Sequence, residues 1–412
     1  MRARIVAAAL LAAAVAVAAS TAALGATSRA AASSITVWLQ TDAQAANWQP
    51  IVAAANAQFQ SQHPGVSVNV QYQTWGAHLQ KFDATLAGGN TPDVIEMGNT
   101  ETTKYMAAGA FQDLTADMST FPNSGTWLKG LAASGRYGGK LYAVPYYAGS
   151  RVVTYRTDLF KKAGLKVPTS LAQFQSYGPK LAKGQPKGFS PVYIAGTDWY
   201  VGMSFVFDYG GGIATQVSGK WKSLLTSPKS LAGLTAYKNF FDAMSRASKT
   251  TDEAHPAPYN VYAQGQAASM IGQAWFSCCV KPYAGVTAQF VMPSHVKGQV
   301  MPGFLGGSDL AVPIGANKAL AESWIADYTS TQSEKALEAI GNIPNSTALT
   351  NPSKVSERAA TRSWFVPQAK NWVNVENGNI LRNMLAEILT GKLTVKQAAQ
   401  TAGDNIESVL NS

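Results

Sequence analysis

Between Ser34 and Met97 the chain alternates strand signals with helix signals, and this alternation limits the fold more than any other feature. Ser34 to Leu39 (SITVWL) reads as a buried strand, and Trp48, Ile51, Val52, Ala55 and Phe59 recur at helical spacing. His63-Pro64-Gly65 turns the chain into Val66 to Val70, which alternates as a second strand. Leu79 to Leu86 is helical and stops at Gly88-Gly89-Asn90, ahead of a third strand over Pro92 to Met97. Strands alternating with helices imply an α/β fold, a parallel sheet with helices on its faces. Ligands of such sheets lie beyond the carboxyl ends of the strands, here Gln40 to Asp42, Gln73 to Gly76 and Gly98 to Glu101.

The segment Leu141 to Leu165 (LYAVPYYAGSRVVTYRTDLFKKAGL) reads as a strand leaving one unit and entering another. Pro145 ends ladder pairing, and Gly149 takes backbone angles that other residues avoid. Tyr146, Tyr147 and Arg151 would then offer flat faces and a fork of donors at the crossing. Beyond it, Ser170 to Gln173 and Thr394 to Gln397 fit capping boxes that open helices. Gly265 to Trp275 is expected to be a short helix running into a strand. Gly303 to Pro313 reads as a glycine-rich turn entering a strand. Ala319 to Ile340 is expected to be one long amphipathic helix, and Ile380 to Leu389 another helix.

The chain has 412 residues, enough for two domains with sizeable cores. With 46% hydrophobic and 14% charged residues it is a globular sequence, not a disordered one. Residues 1–32 read as a signal segment: Arg2 and Arg4, an apolar run from Ile5 to Ala19, and Ala30-Ala31-Ala32 as a cleavage site. The run is short and lacks the bulk of a membrane span. Leu24-Gly25-Ala26-Thr27 approaches a lipoprotein box, but Thr27 stands where the cysteine would be, so lipidation is not expected. The expected location is therefore extracellular or in the cell envelope.

Cleavage after residue 32 would take three arginines and no acid from 33 basic and 23 acidic residues, leaving a net charge of +7. The bases are scattered, which argues against nucleic acid as a partner. Cys278 and Cys279 are the only cysteines, and in an exported chain they are expected to be oxidised. Neither they nor His63, His78, His255 and His295 have metal-ligand spacing, so no metal or cofactor is implied.

Six segments, in order, resemble the periplasmic-type solute-binding proteins of ABC importers, in the oligosaccharide-binding class similar to maltose-binding protein. They are ITVWL with HPGVSVNVQY, GGNTPDVIEMGN with AAGAFQDLT, the Leu141–Leu165 cassette, GQAASMIGQAW, GGSDLAVPIGANKALAESWIADYTSTQSEKALEAIGNIP and LTGKLTVKQAAQ. The resemblance implies two α/β lobes joined by three crossings, with ligand held in the cleft between them. It places residues 33–148 and 295–335 in the N-terminal lobe, and 149–294 and 336–412 in the C-terminal lobe. It also implies a monomer that delivers a carbohydrate to a membrane permease.

Sugar recognition needs aromatic faces for the C–H side of a pyranose and planar polar groups for its hydroxyls. Trp275 stands where the resemblance places a stacking tryptophan. One of Trp199 and Tyr200 is expected to face the cleft. Trp75 either meets ligand or covers its own lobe. Gln40, Asp42, Asn99, Thr100 and Glu101 are candidate acceptors at strand ends, although Asn99 or Thr100 would also serve as a helix N-cap. Arg151 either donates to a sugar or pairs with Asp158 or Glu101. Gly306, Gly307 and Ser308 would let backbone approach the ligand. Trp364 and Trp372 fit ligand contact or core equally. Cys278 and Cys279 either close a ring, which would offer an apolar face to a sugar, or stand as two separate thiols or a link to a second copy.

Two other readings stay open. A binder of a polyol or glycerophosphodiester would use Arg151 and the positive charge. A secreted carbohydrate-active enzyme would need paired carboxylates, for which Asp42 and Glu101 are the only candidates, and no hydrolase motif accompanies them.

Overall fold

The computed structural model describes residues 34–41, 45–351 and 353–412. The signal segment and Asp42 lie outside the described residues.

The strands Ser34–Gln40, Ser67–Gln73 and Val94–Gly98 pair in parallel, as the alternation requires, with the helices Ala45–Gln62 and His78–Gly88 between them. Gly306–Ala311 adds antiparallel beside Val94–Gly98, followed by Ala143–Gly149 and Ile343–Pro344, giving a six-stranded sheet. A second sheet centres on Arg151–Arg156, flanked by Ser269–Gln273 and Thr287–Phe290. Ser150 alone separates the Ala143–Gly149 strand of the first sheet from the Arg151–Arg156 strand of the second. Pro145 sits within the first of these strands, where the ladder to Gly306–Ala311 is bulged.

Each sheet has its own core. Val37, Phe59, Val144, Trp324 and Leu337 belong to the first, and Val153, Phe205, Phe240, Trp372 and Leu385 to the second. Met292, Met301 and Phe304 pack in the second core, while Leu337 and Ile343 pack against the first sheet.

Two expected helices are corrected. Residues 319–340 form two helices, Lys318–Tyr328 and Thr331–Ala339. Ser330 interrupts them, because its hydroxyl accepts the Ser333 amide and starts the second helix as an N-cap. The helix expected from Gly265 is instead Pro258–Ala263, and the chain leaves it through Gly265 at φ +72° before the Ser269–Gln273 strand. The Thr394 capping box is complete. At Ser170 only half forms, since Gln173 Oε1 accepts from the Thr169 amide instead.

Candidate functional site

A cleft of about 500 Å³ lies between the two sheets. Its first-lobe wall comes from the strand ends that the alternation indicated: Trp75 beyond the second strand, and Gly98 to Glu101 beyond the third. Its second-lobe wall comes from Arg151, Tyr200, Gln273, Trp275 and Glu376.

Trp275 follows the Ser269–Gln273 strand and is 9% exposed, with its ring seated against Gly149. A Cβ on Gly149 would lie 2.5 Å from Trp275 Cη2, so only glycine leaves room for the indole. Gly149 does not have a positive φ. Its expected role in backbone bending is thus replaced by close approach of a side chain. Tyr147 meets Trp275 edge-on at 6.4 Å between ring centroids. Tyr146 points to the other face of the strand. It is fully buried and its hydroxyl bonds that of Tyr328, so it does not reach the cleft.

Of Trp199 and Tyr200, the tyrosine lines the cleft. Trp199 lies behind it in the second core, stacked at 4.0 Å. The pair opens the helix Trp199–Asp208, whose N-cap Asp198 accepts the Val201 amide. Arg151 Nε lies 3.4 Å from Asp198 Oδ2, and its guanidinium carbon stands 4.2 Å over the Tyr200 ring. Asp158 and Glu101, the partners weighed for Arg151, bind Arg156 and His78 instead. Burial and the charge of Glu253 push the Asp198 carboxyl upward, opposed by Arg151.

Glu101 Oε2 accepts from the Gly98 amide at 2.9 Å and contacts His78 Nε2 at 2.8 Å. Burial disfavours a charge on His78, but bonding to Glu101 and the Trp75 carbonyl outweighs it and raises its pKa. Asn99 and Thr100 do not cap the Thr102–Ala107 helix. Asn99 Nδ2 donates to the Leu305 carbonyl at 3.0 Å. The Thr100 hydroxyl crosses the cleft to Glu376 Oε2 at 3.2 Å.

The remaining candidates have structural surroundings. Gln40 is buried under Glu96, which accepts its amide at 2.8 Å. Gly306 and Gly307 border the cleft, but a Cβ on Gly307 would strike the Tyr147 backbone, so strand packing requires that glycine. Ser308 is fully buried in the sheet, and its hydroxyl faces that of Tyr147. Trp364 and Trp372 are in the second core. The Trp372 indole donates to Glu376 Oε1 at 2.5 Å. The Cys278 and Cys279 sulfurs lie at bonding distance on the turn after Trp275, and neither lines the cleft.

Sequence reasoning missed Glu253, Tyr259, Phe276, Phe304 and Glu376 on the cleft walls. Glu376 carried a signal: it stands four residues after Trp372, on the face that helix buries. Burial, then the charge of Glu101, raises its pKa to about 7, against bonds from Trp372 and Thr100. Tyr259 and Glu253 lie in a segment whose approach to the cleft depends on tertiary packing. Among the described residues no cluster of His, Cys, Asp and Glu suits a metal. Nor is any described helix long and apolar enough to cross a membrane.

Residues 40–335 match the family described as bacterial extracellular solute-binding protein. The diacetylchitobiose binding protein DasA of Streptomyces coelicolor is 31% identical, across 91% of this chain and 89% of its own. The GacH receptor of Streptomyces glaucescens GLA.O, solved unliganded and with acarbose, aligns at TM-score 0.79 and 21% identity, covering 92% of this chain and 98% of that one. UgpB from Mycobacterium tuberculosis, solved with glycerophosphocholine, aligns at TM-score 0.76 and 21% identity, covering 91% and 98%. These two structures share the periplasmic-binding-protein fold with this chain. The chain belongs to the bacterial extracellular solute-binding proteins.

Proposed function

We propose that this protein is the extracellular capture subunit of an ABC importer for an oligosaccharide. It acts as a monomer, without catalysis, and hands the closed complex to a membrane permease. The observation that carries the reading is the cleft between the sheets, with aromatic rings on both walls and carboxylates among them. Trp75, Tyr147, Tyr200 and Trp275 supply faces for pyranose rings, and Glu101 and Gln273 supply acceptors and donors for hydroxyls. Closure follows from a ligand touching both lobes at once, which favours the state in which the lobes meet. DasA is named for diacetylchitobiose, so an N-acetylated disaccharide is the first ligand to try.

The leader over residues 1–32 and a Cys278–Cys279 disulfide belong to the same reading, since both fit an exported protein. A glycerophosphodiester is disfavoured. Arg382 is held by Glu253, and the Arg151 guanidinium lies over Tyr200 beside Asp198, which leaves acidic and aromatic groups in the majority on the cleft walls.

A thermal-shift screen across saccharides tests the proposal. A ligand at a hundredfold excess over Kd adds about 2.7 kcal/mol and raises the melting midpoint. A library without a stabilising saccharide, or release of cleaved sugar from one, contradicts it.

A further inference from the structure

Three carboxylates reach the cleft: Glu101 from the first lobe, Glu253 and Glu376 from the second. Two of the three already meet a base, Glu253 through Arg382 and Glu101 through His78. Arg382 holds Glu253 in two bonds of 2.5 Å. Arg151 also lines the cleft, with its Nε 3.4 Å from Asp198 Oδ2 and its guanidinium over the Tyr200 ring. His78 is buried behind Glu101 and uses Oε2, as does the Gly98 amide, so neither bond falls on Oε1. Glu376 accepts the Trp372 indole and the Thr100 hydroxyl, and among the described residues it forms no ion pair. Independently of these acids, the cavity has seven aromatic residues on its walls: Trp75, Tyr147, Tyr200, Tyr259, Trp275, Phe276 and Phe304.

We propose that the captured solute carries a protonated amine, an amino sugar with a free ammonium in place of an acetamide or hydroxyl, seated between Glu101 Oε1 and Glu376. The proposal rests on the solute-binding reading above. An ammonium brings three donors and no acceptor, which suits Glu376, a carboxylate in no ion pair among the described residues, and Glu101 Oε1, which the His78 contact does not use. The aromatic walls add faces over which a cation is stabilised. Acetamide and hydroxyl groups bring no charge and leave the mutual repulsion of Glu101 and Glu376 in place.

The inference has a signature in pH. The groups around Glu376 are Glu101 and Thr100 from the first lobe, Trp372 on its own helix, and Tyr200, Glu253 and Arg382 from the second lobe, with Arg151 and Asp198 beyond Tyr200. Burial and Glu101 hold the Glu376 carboxyl at about 7, so in the free protein it is part-protonated near neutrality. An ammonium beside it lowers that pKa and expels the proton. Over the range in which the sugar amine is itself protonated, affinity for it therefore rises with pH as Glu376 ionises, and binding releases protons. A neutral sugar that accepts a hydrogen bond from the protonated carboxyl gives the opposite sign.

Three β-1,4-linked glucose-type disaccharides that differ only at the C2 substituents are the probes: free amines, acetamides and hydroxyls. Each is titrated calorimetrically into the full chain in two buffers of different ionisation enthalpy. The amine is expected to bind at least about tenfold more tightly than its matched relatives, as a charge-assisted contact should, with protons released. Glu376→Gln is expected to abolish that preference, and Glu101→Gln to reduce it. Equal or tighter binding of the acetamide or hydroxyl sugar overturns the amine while leaving the solute-binding reading intact. Persistence of the preference in Glu376→Gln overturns the proposed seat. Binding of none of the three overturns the amine and counts against a saccharide ligand as well.

Discussion

Gly149→Ala is the smallest change expected to disable the cleft. The added methyl carbon would stand 2.5 Å from Trp275 Cη2 and 3.4 Å from Cε3. Ordinary carbon–carbon contact needs about 3.5–4.0 Å, so the ring must move by an ångström or more. It has little room to do so. The Trp275 side chain is 9% exposed, and the Tyr147 ring and Gly341 stand close beside it. Overpacking of this kind costs about 1–3 kcal/mol of stability. Losing an aligned aromatic face costs about 1 kcal/mol or more of affinity, near a factor of ten in Kd. Differential scanning calorimetry and ligand titration read the two effects, and a double-mutant cycle assigns their cause. If Gly149 acts by making room for the indole, Gly149→Ala should cost almost nothing in a Trp275→Ala background. A melting point and Kd unchanged by Gly149→Ala, or the same loss with and without Trp275, would refute the reasoning.

Other expectations follow from the same contacts. Trp275→Ala should weaken sugar binding by roughly 2 kcal/mol or more, as truncation of a buried aromatic anchor does; an unchanged titration would remove Trp275 from the site. Asp309 is fully buried, accepts from Thr102 and Ser134, and burial raises its pKa to about 7. The folded state then holds a proton that the unfolded chain releases above about pH 4, so stability should fall as pH rises from about 4 to 7, by on the order of a few kcal/mol. Asp309→Asn should flatten that slope in urea titrations across pH, and an unaltered slope would count against it. The proposed Cys278–Cys279 disulfide predicts no added mass on alkylation without reductant and two adducts after reduction; two adducts without reductant would exclude it. Thr100→Val removes a hydroxyl that crosses the cleft, and should widen the lobe separation seen by small-angle scattering of the unliganded protein.

The parallel part of the first sheet was legible because its strands and helices differ in apolar period, as in Ser34–Gln40 against Trp48 to Phe59. The break at Ser330 was hidden because the apolar positions of the two helices continue through it. The cleft was legible where it depends on strand ends, as at Trp75, Asn99, Thr100 and Glu101. It was illegible where it depends on a side chain's neighbours in space. Tyr146 and Tyr147 are adjacent and chemically alike, and only the sheet decides which one meets the cleft. Trp199 and Tyr200 divide in the same way, because the helix turns the indole into the core. Glu376 escaped notice because its carboxyl is brought to Thr100 by a helix 276 residues later in the chain. Gly149 was read through backbone freedom, whereas its neighbour Trp275 is 126 residues away.

Calorimetric titration of a saccharide that stabilises the wild-type protein, repeated on Trp275→Ala and Tyr147→Ala, is the sharpest trial of capture between the lobes. Capture predicts one saturable site with a negative heat-capacity change, weakened at least tenfold by either substitution, and sugar recovered intact afterwards. Binding that survives both substitutions, or sugar recovered as cleaved product, would contradict it.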